Sequence, residues 1–133
     1  MKTLLIAIVL GIATATAAAE GTTNAPLAAG RERFLNDCAT CHGVDGGGRG
    51  PVAAVLKITP PDLTRIASRH HGNFPYPDVY AAIDGRNLPL AHGTQDMPIW
   101  GDRYKEPLPA TGEKRVRQRI DELVRYLESI QQP

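Results

Sequence analysis

The sequence holds few of the large side chains that usually fill a protein core. Its 133 residues include two phenylalanines, one tryptophan and two methionines, one of which is the initiator. A chain of this length forms one compact domain, and so few bulky apolar groups leave its interior short of buried surface. We therefore expect a bound group to supply part of the apolar area that is buried on folding.

An excess of charge of one sign is also missing. The chain has 15 basic and 14 acidic residues. If residues 1–19 are removed, Lys2 is lost and the two counts become equal at 14 each. A near-neutral chain lacks the basic surface that nucleic acids require, so we expect no nucleic acid as a partner.

Long hydrophobic runs are limited to the amino terminus. After Met1 and Lys2 the chain reads TLLIAIVLGIA, followed by the small residues of TATAAAE. This pattern is typical of a secretory signal peptide cleaved after Ala19. The alternative is an uncleaved anchor, but the apolar run is shorter than the roughly 20 residues that span a bilayer. We predict a signal peptide over residues 1–19, a single domain over residues 20–133, a periplasmic location and no stable membrane insertion after cleavage.

The rest of the chain shows helical rather than strand periodicity. The patterns predict a helix from Leu27 to about Cys41, short helices over residues 60–70 and 77–84, and a longer one after Thr111. For the second helix Thr59 is the candidate N-cap. The segment VAAVLKI has the composition of a strand but no evident partner. We therefore predict an all-α fold of four to five short helices, joined by long segments rich in glycine and proline.

Both cysteines lie in one short motif, CATCH, formed by Cys38, Ala39, Thr40, Cys41 and His42. A redox dithiol of the thioredoxin type would follow a strand and open a helix, whereas this pair closes one. A zinc site would need two further ligands, and the remaining histidines match no common zinc spacing.

The third interpretation is attachment of haem c. Each thiol adds to one vinyl group of the porphyrin, and the histidine beside the second cysteine is then held at the iron. A covalent haem also supplies the apolar surface that the chain lacks, and it is not lost outside the cell. The motif therefore predicts one haem c bound through Cys38 and Cys41, with His42 as an iron ligand.

With this motif the chain resembles the class I cytochromes c, in their single-haem secreted bacterial form. Gly30 and Phe34 stand eight and four residues before the first cysteine, as in the first helix of that family. The segment ELVRYLESI resembles the family's last helix, with Leu123, Tyr126 and Leu127 at the positions that cross the first helix. The resemblance implies a fold of helices wrapped around the haem.

The resemblance also implies two further site residues, and a third is suggested by its residue type. Pro51 matches a proline whose carbonyl accepts the proton of the histidine Nδ1 atom. Met97 stands where the family carries its axial methionine, with a gap-filling core methionine as the alternative. Trp100 is a candidate for packing on the haem. Other possible sixth ligands are His70, His71 and His92, and candidates for the haem propionates are Arg65, Arg69, Tyr76 and Arg86.

Histidine and methionine ligation implies a fairly oxidising haem with no open coordination position. We therefore expect an electron carrier rather than an enzyme: a shuttle, or the electron-accepting subunit of a periplasmic dehydrogenase, with an oxidase or another cytochrome as acceptor. The alternative is a ligand-binding or sensory haem protein with a labile sixth ligand.

The lysine-rich docking face of the family is missing. Basic residues cluster instead in EKRVRQR, and we interpret this cluster first as the solvated face of the last helix.

Overall fold

The computed structural model describes residues 24–87, 97–105 and 112–133. These ranges contain six α-helices and no strand. The helices are α1 (Ala25–Asp37), α2 (Ala39–His42), α3 (Ile66–Arg69), α4 (Tyr76–Asp84), α5 (Trp100–Arg103) and α6 (Gly112–Ser129). The prediction of an all-α fold is confirmed, and the helices outnumber the expected four to five because three of them are single turns. The predicted signal peptide lies outside the described residues.

The first predicted helix is divided into α1 and α2 at Cys38. The Cys38 N–H donates to the Phe34 carbonyl at 2.9 Å and so closes α1. The Cys38 carbonyl then accepts hydrogen bonds from Cys41 and His42, at 3.1 and 2.9 Å. The CATCH motif therefore forms a separate helical turn directly after the first helix.

The second predicted helix starts later than expected. A 3₁₀ turn over Leu63–Arg65 precedes α3, and the side chain of Asp62 caps this turn by accepting from the Thr64 N–H at 2.9 Å. The expected cap at Thr59 was wrong because the next residue, Pro60, itself precedes Pro61 and therefore favours an extended conformation over the first position of a helix. The segment VAAVLKI is not a strand, since it contains a 3₁₀ turn at Ala53–Val55.

The last two predicted helices are confirmed. Helix α4 has Pro77 in its first turn and ends at Gly85, whose φ of +70° suits a left-handed cap. Helix α6 places an apolar stripe in the core, formed by Val116, Ile120, Leu123, Val124 and Leu127. In the described part of the chain, no helix combines the length and apolar character needed to cross a membrane.

The core is organised around the crossing of α1 and α6. A Cβ atom added to Gly30 would overlap the backbone of Glu122, with 2.7 Å to the carbonyl carbon, and would lie 3.0 Å from the Cβ atom of Tyr126. One turn later, the rings of Phe34 and Tyr126 pack with centroids 5.3 Å apart. The missing side chain of Gly30 thus permits the close crossing that the resemblance to the class I cytochromes c implied.

Replacement of Gly30 by alanine is expected to destabilise the folded protein by about 1–3 kcal/mol, the usual cost of overpacking. Alanine is the better helix former by about 1 kcal/mol, so helix propensity by itself predicts the opposite sign. Chemical denaturation of the holoprotein measures the difference. An increase in stability would show that α1 and α6 do not cross backbone to backbone at Gly30.

Candidate functional site

The CATCH motif brings three functional groups together at α2 and its N-cap. Cys38 precedes the turn, while Cys41 and His42 lie at its end. Both thiols are half-buried and neither forms a disulfide. One helical turn therefore presents two sulfur atoms and one imidazole from five consecutive residues.

The environment of Cys38 differs from that of a redox-active thiol. Burial, followed by the neighbouring carboxylate of Asp37, raises the pKa of the Cys38 thiol to about 12. A catalytic dithiol needs a lowered pKa, because the thiolate is the nucleophile. The burial of Cys38 therefore disfavours the thioredoxin-like alternative.

His42 is buried, with 8% of its surface exposed, and its Nδ1 atom lies 3.3 Å from the carbonyl oxygen of Pro61. A carbonyl only accepts, so this contact assigns the proton of the neutral ring to Nδ1. Burial lowers the pKa of His42, and the bond to Pro61 opposes this in part. The imidazole is therefore kept neutral at neutral pH, with the lone pair of Nε2 left for a metal.

The acceptor for Nδ1 was expected to be Pro51, and this expectation was wrong. The loop after the motif folds back on it: the Gly48 N–H donates to the His42 carbonyl at 2.8 Å, and the Gly50 N–H donates to the Cys41 carbonyl at 3.0 Å. This return places Pro51 beside the motif backbone, exposed to solvent. The carbonyl that reaches the imidazole comes from the next chain segment.

Two glycines bring that segment into place. Gly48 has a φ of +79°, and a Cβ atom there would lie 3.2 Å from the carbonyl carbon of Pro60. The carbonyl of Gly46 accepts a hydrogen bond of 2.8 Å from the Leu63 N–H. These contacts on either side of Pro61 hold its carbonyl at His42. The Pro-Pro pair was visible in the sequence, but no local spacing rule connects it to His42.

Trp100 is the first residue of α5 and Met97 precedes it by three residues, and the two side chains have different environments. Met97 is 39% exposed, so it does not fill a gap in the core, the alternative considered from the sequence. Trp100 is 9% exposed and packs against Tyr104, with ring centroids 5.4 Å apart, and under the guanidinium of Arg103. The thioether is thus available for ligation, while the indole is already part of the core.

Most of the other candidate groups have protein partners or lie at the surface. Arg86 pairs with Asp84 and Glu113, and the Tyr76 hydroxyl donates to the carboxylate of Asp121. Arg65 donates to the carbonyl of Pro133 at 3.2 Å. Three further candidates are exposed to solvent: Arg69, His70 and His71. The remaining candidate, His92, lies outside the described residues.

The groups on α2 fit the attachment of haem c. The two thiols stand one turn apart, as two thioether bonds to one porphyrin require, and the neutral imidazole offers a nitrogen ligand with its orientation already set.

Comparison with known proteins agrees with this site. No curated protein sequence and no solved structure gives a significant match to the chain. The family model described as cytochrome c matches residues 27–131, which include the motif, Met97, the whole of α6 and all but the first two residues of α1. The chain therefore belongs to the cytochrome c family, and its cofactor is covalently attached haem c.

Proposed function

We propose that this cytochrome carries single electrons, with haem held by Cys38 and Cys41 and with His42 and Met97 as the axial ligands. The observation that carries the proposal is the buried imidazole of His42, whose Nδ1 is bound to the Pro61 carbonyl and whose Nε2 is left for iron. The haem supplies an iron centre that changes its charge by one when an electron enters or leaves.

The residues around the site favour a fairly high reduction potential. A soft thioether such as Met97 binds Fe(II) better than Fe(III), so it stabilises the reduced state. Burial acts in the same direction because the oxidised centre carries one more positive charge. The bond from His42 to Pro61 keeps the imidazole from turning and so keeps the iron environment alike in both states.

We place the protein in the periplasm, between a dehydrogenase that donates electrons and an oxidase or another cytochrome that accepts them. The amino-terminal pattern of residues 1–19 supports this location. In the basic cluster of α6, Lys114 and Arg115 are exposed, whereas Arg119 stacks on Tyr104 and donates to its carbonyl at 3.3 Å. An electrostatic contact with a partner would therefore use the first turn of α6 and not Arg119.

Carbon monoxide tests the carrier function against the sensor alternative. If Met97 occupies the sixth position, the reduced protein at neutral pH is expected to resist carbon monoxide, because no coordination position is open. The absorption spectrum of the reduced protein under the gas gives the answer. Fast binding would overturn the carrier assignment and favour a ligand-binding or sensory protein.

A further inference from the structure

Arg86 lies between two carboxylates from different helices. One side of its guanidinium binds Asp84, at the end of α4, with 3.0 Å between Nη2 and Oδ2. The other side binds Glu113, in the first turn of α6, through Nη1 and Nη2 at 2.9 Å each. A planar guanidinium can make paired hydrogen bonds to each of two carboxylates at once, whereas a lysine ammonium has no such fork of donors. We call Asp84, Arg86 and Glu113 the arginine clamp.

Helix α5 packs directly against the arginine clamp. A Cβ atom added to Gly101 would overlap the carboxylate of Asp84 and would lie 2.8 Å from the Cδ atom of Arg86. Beside it, a Cβ atom on Gly85 would lie 3.3 Å from the Cα atom of Ile99. The backbone at Ile99–Gly101 therefore rests on the junction of α4 and α6, only two residues after Met97.

We propose that Arg86 is a positioning residue that fixes the chain behind Met97 and so keeps the thioether on the iron. The proposal rests on the assignment of Met97 as sixth ligand. Arg86 and Asp84 are only 20% and 13% exposed at their side chains, so their hydrogen bonds are shielded from water, while Glu113 is 45% exposed. Without the clamp, residues 99–101 lose the surface that holds them, and the state with the thioether displaced becomes more populated.

Imidazole binding to the oxidised holoprotein measures that population. Imidazole reaches the iron only in molecules whose thioether has left, so its apparent affinity rises in proportion to the open fraction. Loss of a partly buried, charge-assisted pair is expected to increase this fraction, and therefore the affinity, about tenfold or more in Arg86→Gln. Arg86→Lys is expected to raise the imidazole affinity in the same way, because lysine keeps the positive charge but cannot make the paired hydrogen bonds of the guanidinium.

Arg117 offers a matched control. It lies 3.8 Å from the same Glu113 carboxylate but is exposed and makes its contact within α6. Arg117→Gln should therefore leave the imidazole affinity unchanged. If the Arg86 variants do not fold, Glu113→Gln provides the test, because it removes one of the two carboxylates of the clamp. Glu113 is the more exposed of the two, so only a several-fold rise in the apparent imidazole affinity is expected.

The outcomes separate the two proposals. If the oxidised wild type lacks the weak long-wavelength absorption of an iron–sulfur bond, the assignment of Met97 fails. If that absorption is present but imidazole binds equally well to the wild type and to Arg86→Gln, the positioning role of Arg86 is wrong and the ligand assignment stands. If the imidazole affinity rises equally in Arg117→Gln, the positioning role is also overturned, because loss of a positive charge at the surface would then be enough to explain the effect.

Discussion

The denatured holoprotein is expected to retain its haem during extraction with acidified acetone. Acid breaks the bonds between iron and its ligands, but thioether bonds to Cys38 and Cys41 survive both acid and unfolding. The measurement is the mass of the polypeptide together with its colour, after expression with a haem c maturation system. The whole of the haem should remain on the chain.

Cysteine variants show which residues form the bonds. The sequence has only two cysteines, so the double variant Cys38→Ala with Cys41→Ala removes every possible attachment point, and all of its haem should be extracted. Each single variant keeps one thioether and should retain whatever haem it incorporates. Free extraction of haem from the unmodified protein would contradict covalent attachment at these residues.

Replacement of Met97 by alanine is expected to have the second large effect, on the iron itself. Without the thioether, Fe(III) is no longer disfavoured relative to Fe(II), so the reduction potential should fall. A fall on the order of 0.1 V lies well within the roughly 0.8 V over which axial ligands set haem potentials. The reduced variant should also bind carbon monoxide, because its sixth position is open. Redox titration and absorption spectra measure both effects.

Met97→Leu isolates the role of the sulfur atom. Leucine keeps most of the apolar volume of methionine, so a purely steric role would leave the potential nearly unchanged. If sulfur ligates iron, the leucine and alanine variants should show similar potentials and both should bind carbon monoxide. An unchanged potential in both variants would exclude Met97 as the ligand and direct attention to His70, His71 and His92.

Much of the fold was predictable because it depends on contacts within one helical turn. The apolar stripe of α6 repeats at the helical period, and Pro77 and Gly85 mark the two ends of α4 through their own backbone preferences. The crossing at Gly30 was predictable for a different reason, since the resemblance to the cytochromes c named its partners on α6.

The same distinction applies to the site. Cys38, Cys41 and His42 are neighbours in the chain, so the motif alone was enough to predict haem attachment. The acceptor for His42 was a different matter, because Pro61 is 19 residues away and reaches it only through the return of the glycine-rich loop. The resemblance to the family pointed to Pro51, but the loop reverses direction after the motif and the next chain segment supplies the carbonyl instead.

Arg86 shows most clearly what depended on the packed molecule. As an isolated cation it was one of several candidates for the haem propionates, yet its carboxylate partners lie two and 27 residues away along the chain, on α4 and α6. The local pattern identifies helices and the haem motif because their interactions span a few residues. The partners of long polar side chains are decided only when distant helices meet, because burial then requires each charge to find its counterpart.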